Sequence, residues 1–198
     1  CLFFLRFLMA IFQQKLITTN YDCIAEYAAD VAGYGWSTGF GYGYIGNRYG
    51  NQPLSIKRNN AVFRMVDIWK VHGSLNWYHS LNGSVYYLPS VTKPPTNYSP
   101  VIVTPGIDKY RITHEEPFRT IIAGADLAIE NGNSFLCVGY GFNDSHIQPK
   151  LLEKCIREKK PIVVLSKELT PSAKKVLLET QCECFIAFEE LKDGTRIF

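Results

Sequence analysis

The chain has 198 residues, of which 46% are hydrophobic and 20% are charged. This length suits one sizeable domain, and the composition is typical of a globular protein rather than of a disordered chain. The formal net charge is only +3, from 21 basic and 18 acidic residues that are spread evenly. So mild a balance argues against a nucleic-acid-binding surface.

The amino-terminal segment 1–15 is strongly apolar but is interrupted by Arg6 and is too short to span a bilayer. It has neither the basic start nor the small-residue cleavage pattern of a signal peptide. We therefore interpret it as a buried helix of a domain whose beginning is missing, and we expect no contact with a membrane.

The next elements alternate between strand, helix and loop. The β-branched run that ends near Thr19 predicts a strand, Asp22 suits a helix N-cap, and the helix that follows is expected to end at Gly33. Residues 33–60 are rich in Gly, Tyr and Asn and predict an aromatic loop insertion. A phosphate-binding glycine loop would instead join a strand directly to a helix.

The apolar run from Ala61 to Val71 predicts a strand that delivers His72. Residues 78–113 predict an insertion made of a hairpin and a loop, because Asn82-Gly83 is the strongest short turn signal in the chain. Within it, a loop is expected at Lys93-Pro94-Pro95. A short strand is expected at residues 101–103, closed by Pro105-Gly106.

After a helix that begins near Pro117, strand and helix patterns alternate from Ser134 to the end of the chain. A helix predicted to end before Gly132 is followed by strands from Phe135 to Gly139, Pro161 to Leu165 and Cys184 to Phe188, with a helix capped by Thr170 before the last strand. Such alternation indicates parallel strands with right-handed crossovers. The predicted architecture is an α/β, doubly wound, Rossmann-like sheet with helices on both faces, forming a single domain over residues 1–198.

Polar side chains follow two of the predicted strands, and ligands bind at the carboxyl ends of parallel strands. Asn20 offers donors and an acceptor that can orient a ribose hydroxyl or a water, and Asp22 can accept from a carboxamide. His72 suits a general base at neutral pH. These residues fit transfer chemistry at an N-glycosidic bond. The alternatives are a helix cap for Asp22, turn chemistry for Asn20 and a structural role for His72.

A third segment begins at Gly139, where a strand gives way to small residues and then to a helix start. Backbone N–H groups at such a position can approach a phosphate or a ribose. Asp144 is interpreted as a further cap, and His146 as a residue that packs or caps near the helix start.

Together the strings Thr-Thr-Asn-Tyr-Asp at 18–22, His-Gly at 72–73 and Gly-Tyr-Gly-Phe-Asn-Asp-Ser-His-Ile at 139–147 resemble those of the sirtuin-like family. Gly141 stands where that family usually has Ser. The resemblance implies a pocket that binds NAD+ as substrate, with Asn20 and His72 as the catalytic residues. The implied NAD contacts are Thr18, Thr19, Asp22, Gly139, Tyr140, Gly141, Phe142, Asn143 and Ser166.

Within this family, protein deacylases carry a zinc module built from two cysteine pairs. Only Cys182 and Cys184 lie close together here, and no cysteine separates His72 from Cys137, so we expect reduced thiols, a cytoplasmic location and no metal. The chain is similar to bacterial anti-phage defence domains that hydrolyse NAD+. Deacylation and a non-catalytic nucleotide-binding role are the alternatives.

The family begins with a strand and a Gly-Ala-Gly turn that holds the pyrophosphate. No such string precedes Leu16, so the sequence is expected to be truncated at its amino terminus. The resemblance also implies a homo-oligomer that works with a sensor or a translocase ATPase, without direct nucleic-acid binding.

Overall fold

The structure is a computed structural model that describes residues 15–42, 45–51, 54–59, 61–89, 96–104, 115–180 and 182–198. The chain divides into two compact units, the first ending at Ala125 and the second running from Asp126 to Phe198. The single domain expected over residues 1–198 stays a prediction. The predicted amino-terminal helix, the Lys93-Pro94-Pro95 loop and the Pro105-Gly106 turn lie outside the described residues.

A three-stranded parallel sheet organises the first unit. Its strand order is β1-β6-β2, and Thr18 at the end of β1 pairs with Lys70 at the end of β6. The strands are β1 (Lys15–Thr18), β2 (Gly35–Ser37) and β6 (Met65–Lys70). The strands predicted before Thr19 and before His72 are thus confirmed.

Strand β2 corrects the prediction that residues 33–60 are entirely loop. Its sequence Gly-Trp-Ser is too short to show an alternating pattern, and the strand exists because it pairs in parallel with β6. Two short strands, β3 (Gly46–Asn47) and β4 (Lys57–Arg58), also fall in this range. Strand β5 (Ala61–Val62) pairs with β4.

Helix α1 (Ile24–Ala32) connects β1 to β2 and packs on the sheet. Ala28 and Ala29 are buried against Val66 and Ile68 of β6. The helix ends as predicted at Gly33, which adopts the left-handed conformation (φ 77°) that favours glycine at this position.

The first unit also contains an antiparallel sheet of order β3-β8-β7-β9. The predicted hairpin at Asn82-Gly83 is confirmed, since it joins two of these strands, and the short strand predicted at 101–103 corresponds to a third. The strands are β7 (Gly73–His79), β8 (Val85–Tyr87) and β9 (Ser99–Ile102).

Helix α2 (Phe118–Glu130) crosses from the first unit into the second. The second unit is a sheet of order β10-β11-β12-β13, in which the first three strands are parallel. Its elements are β10 (Phe135–Val138), α3 (Gln148–Arg157), β11 (Ile162–Ser166), α4 (Pro171–Lys174), a π-helical turn (Lys175–Glu179), β12 (Phe185–Leu191) and β13 (Gly194–Ile197).

The core of the second unit includes Phe142, Leu151, Ile162 and Val164. Strand β13, which pairs antiparallel with β12, was not predicted because its residues are all exposed and carry no apolar periodicity.

The predicted α/β class with parallel strands is confirmed. The described parallel strands belong to two sheets, because β1 and β10 each pair on one side only within the described ranges. Among the residues that the structure describes, no helix is long and apolar enough to cross a membrane.

Candidate functional site

The carboxyl ends of β1 and β6 bring two of the predicted segments together. Thr18 pairs with Lys70 in the sheet, and the Val71 N–H donates to the Thr18 carbonyl at 3.2 Å. We call residues 18–23 and 70–75 the strand-end site. Its two segments are neighbours because both strands end at the same edge of a parallel sheet, as expected for an α/β fold.

His72 contacts the opposite segment through its ring. Its Nδ1 lies 3.2 Å from the backbone oxygen of Thr19. Because a carbonyl oxygen only accepts, the bond requires a proton on Nδ1, and the neutral ring then carries its lone pair on Nε2. The backbone is held as well, since the Val103 N–H donates to the His72 carbonyl at 2.9 Å. The ring and the backbone of His72 are therefore both fixed against neighbouring segments of the chain.

The close approach of strand β9 explains why the residue after His72 is a glycine, Gly73. Its φ is 88°, and a Cβ built on it would lie 2.1 Å from the Val101 oxygen of the neighbouring strand β9. Any larger residue would push β9 away from β7. The His-Gly string is thus a turn whose second residue is fixed by close approach of backbone.

Asn20 lies at the exposed tip of the first segment. Its N–H donates to the Thr18 hydroxyl at 3.1 Å, which shapes the turn after β1. The next residue, Tyr21, is anchored on both sides. Its carbonyl accepts from the Leu75 N–H at 3.0 Å, and its hydroxyl donates to the Val103 oxygen at 2.6 Å. The exposed amide of Asn20 is therefore carried by a tied-down backbone.

Asp22 does not occupy the N-cap position predicted for it. The cap of α1 is Cys23, whose side chain makes no capping hydrogen bond, and one oxygen of Asp22 accepts from the Ile24 N–H at 3.0 Å. The Asp22 carboxylate still accepts from an N–H of the first helical turn, but Asp22 lies one residue before the N-cap position. The shift arises because the chain turns into the helix only after Asp22.

Lys70 is a residue of the strand-end site that sequence reasoning missed. Its side chain is fully buried, its Nζ lies 2.9 Å from Oε1 of Glu26, and it also donates to the Asp22 carbonyl. The available signal was strand periodicity, because Lys70 follows Val66 and Ile68 at alternate positions on one face of β6.

Cys23 lies near this ion pair, with its Sγ 4.0 Å from the Ser74 hydroxyl. Burial raises the pKa of the Cys23 thiol, and the nearby Glu26 carboxylate adds to the rise. The thiol is therefore protonated at neutral pH and is a poor nucleophile.

In the second unit, the segment after β10 has a tightly constrained backbone. The Gly139 N–H donates to the Leu165 carbonyl at 2.8 Å, and the Gly141 carbonyl accepts from the Thr170 hydroxyl at 2.6 Å. The ring of Phe142 is buried in the core, and its centroid lies 4.9 Å from the centroid of the Tyr140 ring. Only the backbone of Phe142 is therefore left for a ligand, so its predicted NAD contact cannot involve the ring.

The remaining predicted residues of the second unit have local partners or are exposed. Asn143 is exposed, whereas Asp144 accepts from the N–H groups of His146 and Ile147 at 2.9 and 3.1 Å. These bonds close the turn before α3, whose N-cap residue is Ile147 rather than Asp144. Ser166 is the last residue of β11, and its hydroxyl donates to the Glu168 carbonyl at 2.6 Å. Within the described ranges, no three His, Cys, Asp or Glu side chains are grouped as metal ligands.

Comparison with known proteins bears on the whole of this arrangement. The model of the SIR2-like domain family matches residues 14–186, a range that contains all three predicted segments. No curated protein matches the chain. The family match confirms the resemblance found in the sequence and indicates an NAD-related activity in general. The chain belongs to the SIR2-like domain family.

Proposed function

We propose that this SIR2-like domain hydrolyses NAD+ at the bond between nicotinamide and ribose, giving nicotinamide and ADP-ribose. The observation that carries the proposal is the hydrogen bond from His72 Nδ1 to the Thr19 carbonyl. It leaves the ring lone pair on Nε2, at the strand ends where Asn20 also lies. Membership of a family with NAD-related activity supports the choice of substrate.

In the proposed reaction, the C–N bond breaks and its electron pair moves to the nicotinamide nitrogen, which loses its positive charge. Positive charge develops at the anomeric carbon, to which the oxygen of a water molecule then bonds. The water proton passes to His72 Nε2, because imidazole exchanges protons near neutral pH. The Asn20 amide orients the water or a ribose hydroxyl through its donors and acceptor.

The other predicted NAD contacts remain part of the proposal. Thr18 and Thr19 belong to the strand-end site, and Asp22 has one carboxylate oxygen bound to the Ile24 N–H. In the second unit, we propose that residues 139–143 and Ser166 contact the nucleotide, chiefly through backbone groups, as expected where a parallel strand ends in small residues.

We propose bacterial anti-phage defence in the cytoplasm as the setting. The resemblance of residues 139–147 to defence domains supports it. A homo-oligomer and a partner that acts as sensor or translocase ATPase are proposed with it.

The test follows NAD+ and its products by chromatography after incubation with the full chain. His72→Ala is expected to lower the rate about 10²- to 10⁴-fold, the usual contribution of a general base. Asn20→Ala is expected to lower it about 10²-fold through lost positioning. His79→Ala is the matched control, because it removes an imidazole at the opposite end of β7.

Cleavage at an equal rate in wild type and His72→Ala would contradict the assigned role of His72. An acyl-lysine peptide added with NAD+ separates the deacylase alternative, which requires peptide for nicotinamide release. NAD+ that binds without cleavage, equally to wild type and to His72→Ala, would instead identify a non-catalytic domain.

A further inference from the structure

Lys70 is a charged residue on an otherwise apolar strand face. Val66, Ile68 and Lys70 alternate along β6, and all are buried, with the Lys70 side chain at 0% exposure. An ammonium group in such a place is unfavourable unless it is paired and hydrogen-bonded. Its partners therefore indicate what the lysine does there.

Stability alone does not explain a Lys70–Glu26 pair in this space. Oε1 of Glu26 binds Lys70 Nζ at 2.9 Å, but Oε2 is buried and has no hydrogen-bond partner among the described residues. Apolar side chains of similar volume commonly stabilise a core as well as a buried ion pair does, or better. What Lys70 adds, and an apolar residue cannot, is a donor to the Asp22 carbonyl.

That contact completes a series of hydrogen bonds along residues 18–22, which we call the Asn20 segment. Four backbone carbonyls of this segment, two before Asn20 and two after it, accept hydrogen bonds from residues 70–75. The pairs are Thr18 with Val71 N–H, Thr19 with His72 Nδ1, Tyr21 with Leu75 N–H and the Ser74 hydroxyl, and Asp22 with Lys70 Nζ.

Lys70 binds the last carbonyl of this series. Because Glu26 lies on the first turn of α1, the pair joins the end of β6 both to the Asn20 segment and to the helix that follows it.

We infer that Lys70 and Glu26 are positioning residues for the strand-end site. They hold the backbone that follows Asn20, at Asp22, so that the Asn20 amide meets the substrate at the distance that His72 requires. Neither residue touches a reacting atom. The inference rests on the proposed hydrolysis of NAD+, and it adds to it a buried pair that sets the geometry of the catalytic segment.

The test is the double variant Lys70→Met with Glu26→Leu, which removes both charges together and so leaves no unpaired ion in the core. We expect a folded protein whose kcat for NAD+ falls about 10- to 100-fold, with KM changed by less than about threefold, because misplacement by about 1 Å has effects of this size. Lys154→Met is the control, since Lys154 is another buried lysine, bound to Glu130 at 2.8 Å in the second unit.

A folded double variant with the wild-type kcat would overturn the inference, and so would an equal loss of kcat in Lys154→Met. If the double variant does not fold, Glu26→Gln replaces it, and a kcat about three- to tenfold below wild type is expected because the charge-assisted bond to Lys70 is weakened. An unchanged kcat in Glu26→Gln would then overturn the inference.

Hydrogen exchange separates this inference from the proposed function. Backbone amides of residues 19–24 are expected to exchange faster in the double variant, or in Glu26→Gln where that variant replaces it, than in wild type, whether or not NAD+ is cleaved. If the wild-type chain does not cleave NAD+, the proposed function fails. Positioning of the segment is then judged by exchange alone, and unchanged exchange overturns it.

Discussion

Gly73→Ala tests whether the turn after His72 depends on close backbone approach. An alanine at a φ of 88° costs about 1–2 kcal/mol in the left-handed conformation. Its Cβ would also lie 2.1 Å from the Val101 oxygen, so β9 must move, and overpacking of this kind costs about 1–3 kcal/mol more. We expect the free energy of unfolding to fall by about 2–5 kcal/mol, a large share of the stability of an ordinary domain.

Urea unfolding followed by tryptophan emission measures this effect. The chain has 3 tryptophans, Trp36, Trp69 and Trp77, and all of them belong to the first unit, so their emission reports the unit that contains Gly73.

Gly83→Ala is the matched control. Gly83 has a similar φ of 80°, but a Cβ there would meet no atom within 4 Å. Only the conformational cost, about 1–2 kcal/mol, then applies. Equal losses of stability in the two variants would refute the argument that β9 sets the requirement for glycine at this turn.

Two further predictions concern the second unit. Thr170→Ala should lower the stability of the second unit by about 1–2 kcal/mol in thermal unfolding. The reason is that the Thr170 hydroxyl accepts from the Ala173 N–H and donates to the Gly141 carbonyl. Thr170→Ser keeps the hydroxyl and should retain most of this stability. The Leu169 N–H holds the pKa of Glu189 below its usual value. Stability from this carboxylate is thus complete above the ordinary pKa of an unfolded glutamate and is lost as pH falls through the lower pKa of the folded state. Glu189→Gln should make the free energy of unfolding fall less steeply as the pH is lowered, as followed by circular dichroism. An equally steep fall in the variant and in wild type would contradict this.

The fold could be predicted wherever an apolar run ended in clear turn residues. Strand β6, helix α1 with its glycine end and the hairpin at Asn82-Gly83 all have such local signals. Strands β2 and β13 lack them. The first has only three residues and the second is fully exposed, so each is defined by the neighbour with which it pairs rather than by its own sequence.

The adjacency of the Asn20 and His72 segments was predictable for the same reason. Parallel strands end at one edge, so polar residues that follow two paired strands must be neighbours. The ring tautomer of His72 was not predictable, because it depends on the Thr19 carbonyl, a backbone atom that any residue would supply. Sequence patterns therefore identified the two segments that meet at this edge, but neither Lys70 nor the atoms through which the residues make contact.

Asp22 and Lys70 carry the same argument further. The carboxylate of Asp22 was predicted as a helix cap or a ligand contact, yet it bonds locally to Ile24, and the backbone carbonyl makes the long-range contact to Lys70. A buried Lys70 was not predicted, because lysines are rarely buried. Its periodicity with Val66 and Ile68 was nevertheless visible in the sequence. A lysine at an apolar position of a strand, just before polar residues at the strand end, is thus a signal for a buried donor that shapes the neighbouring loop.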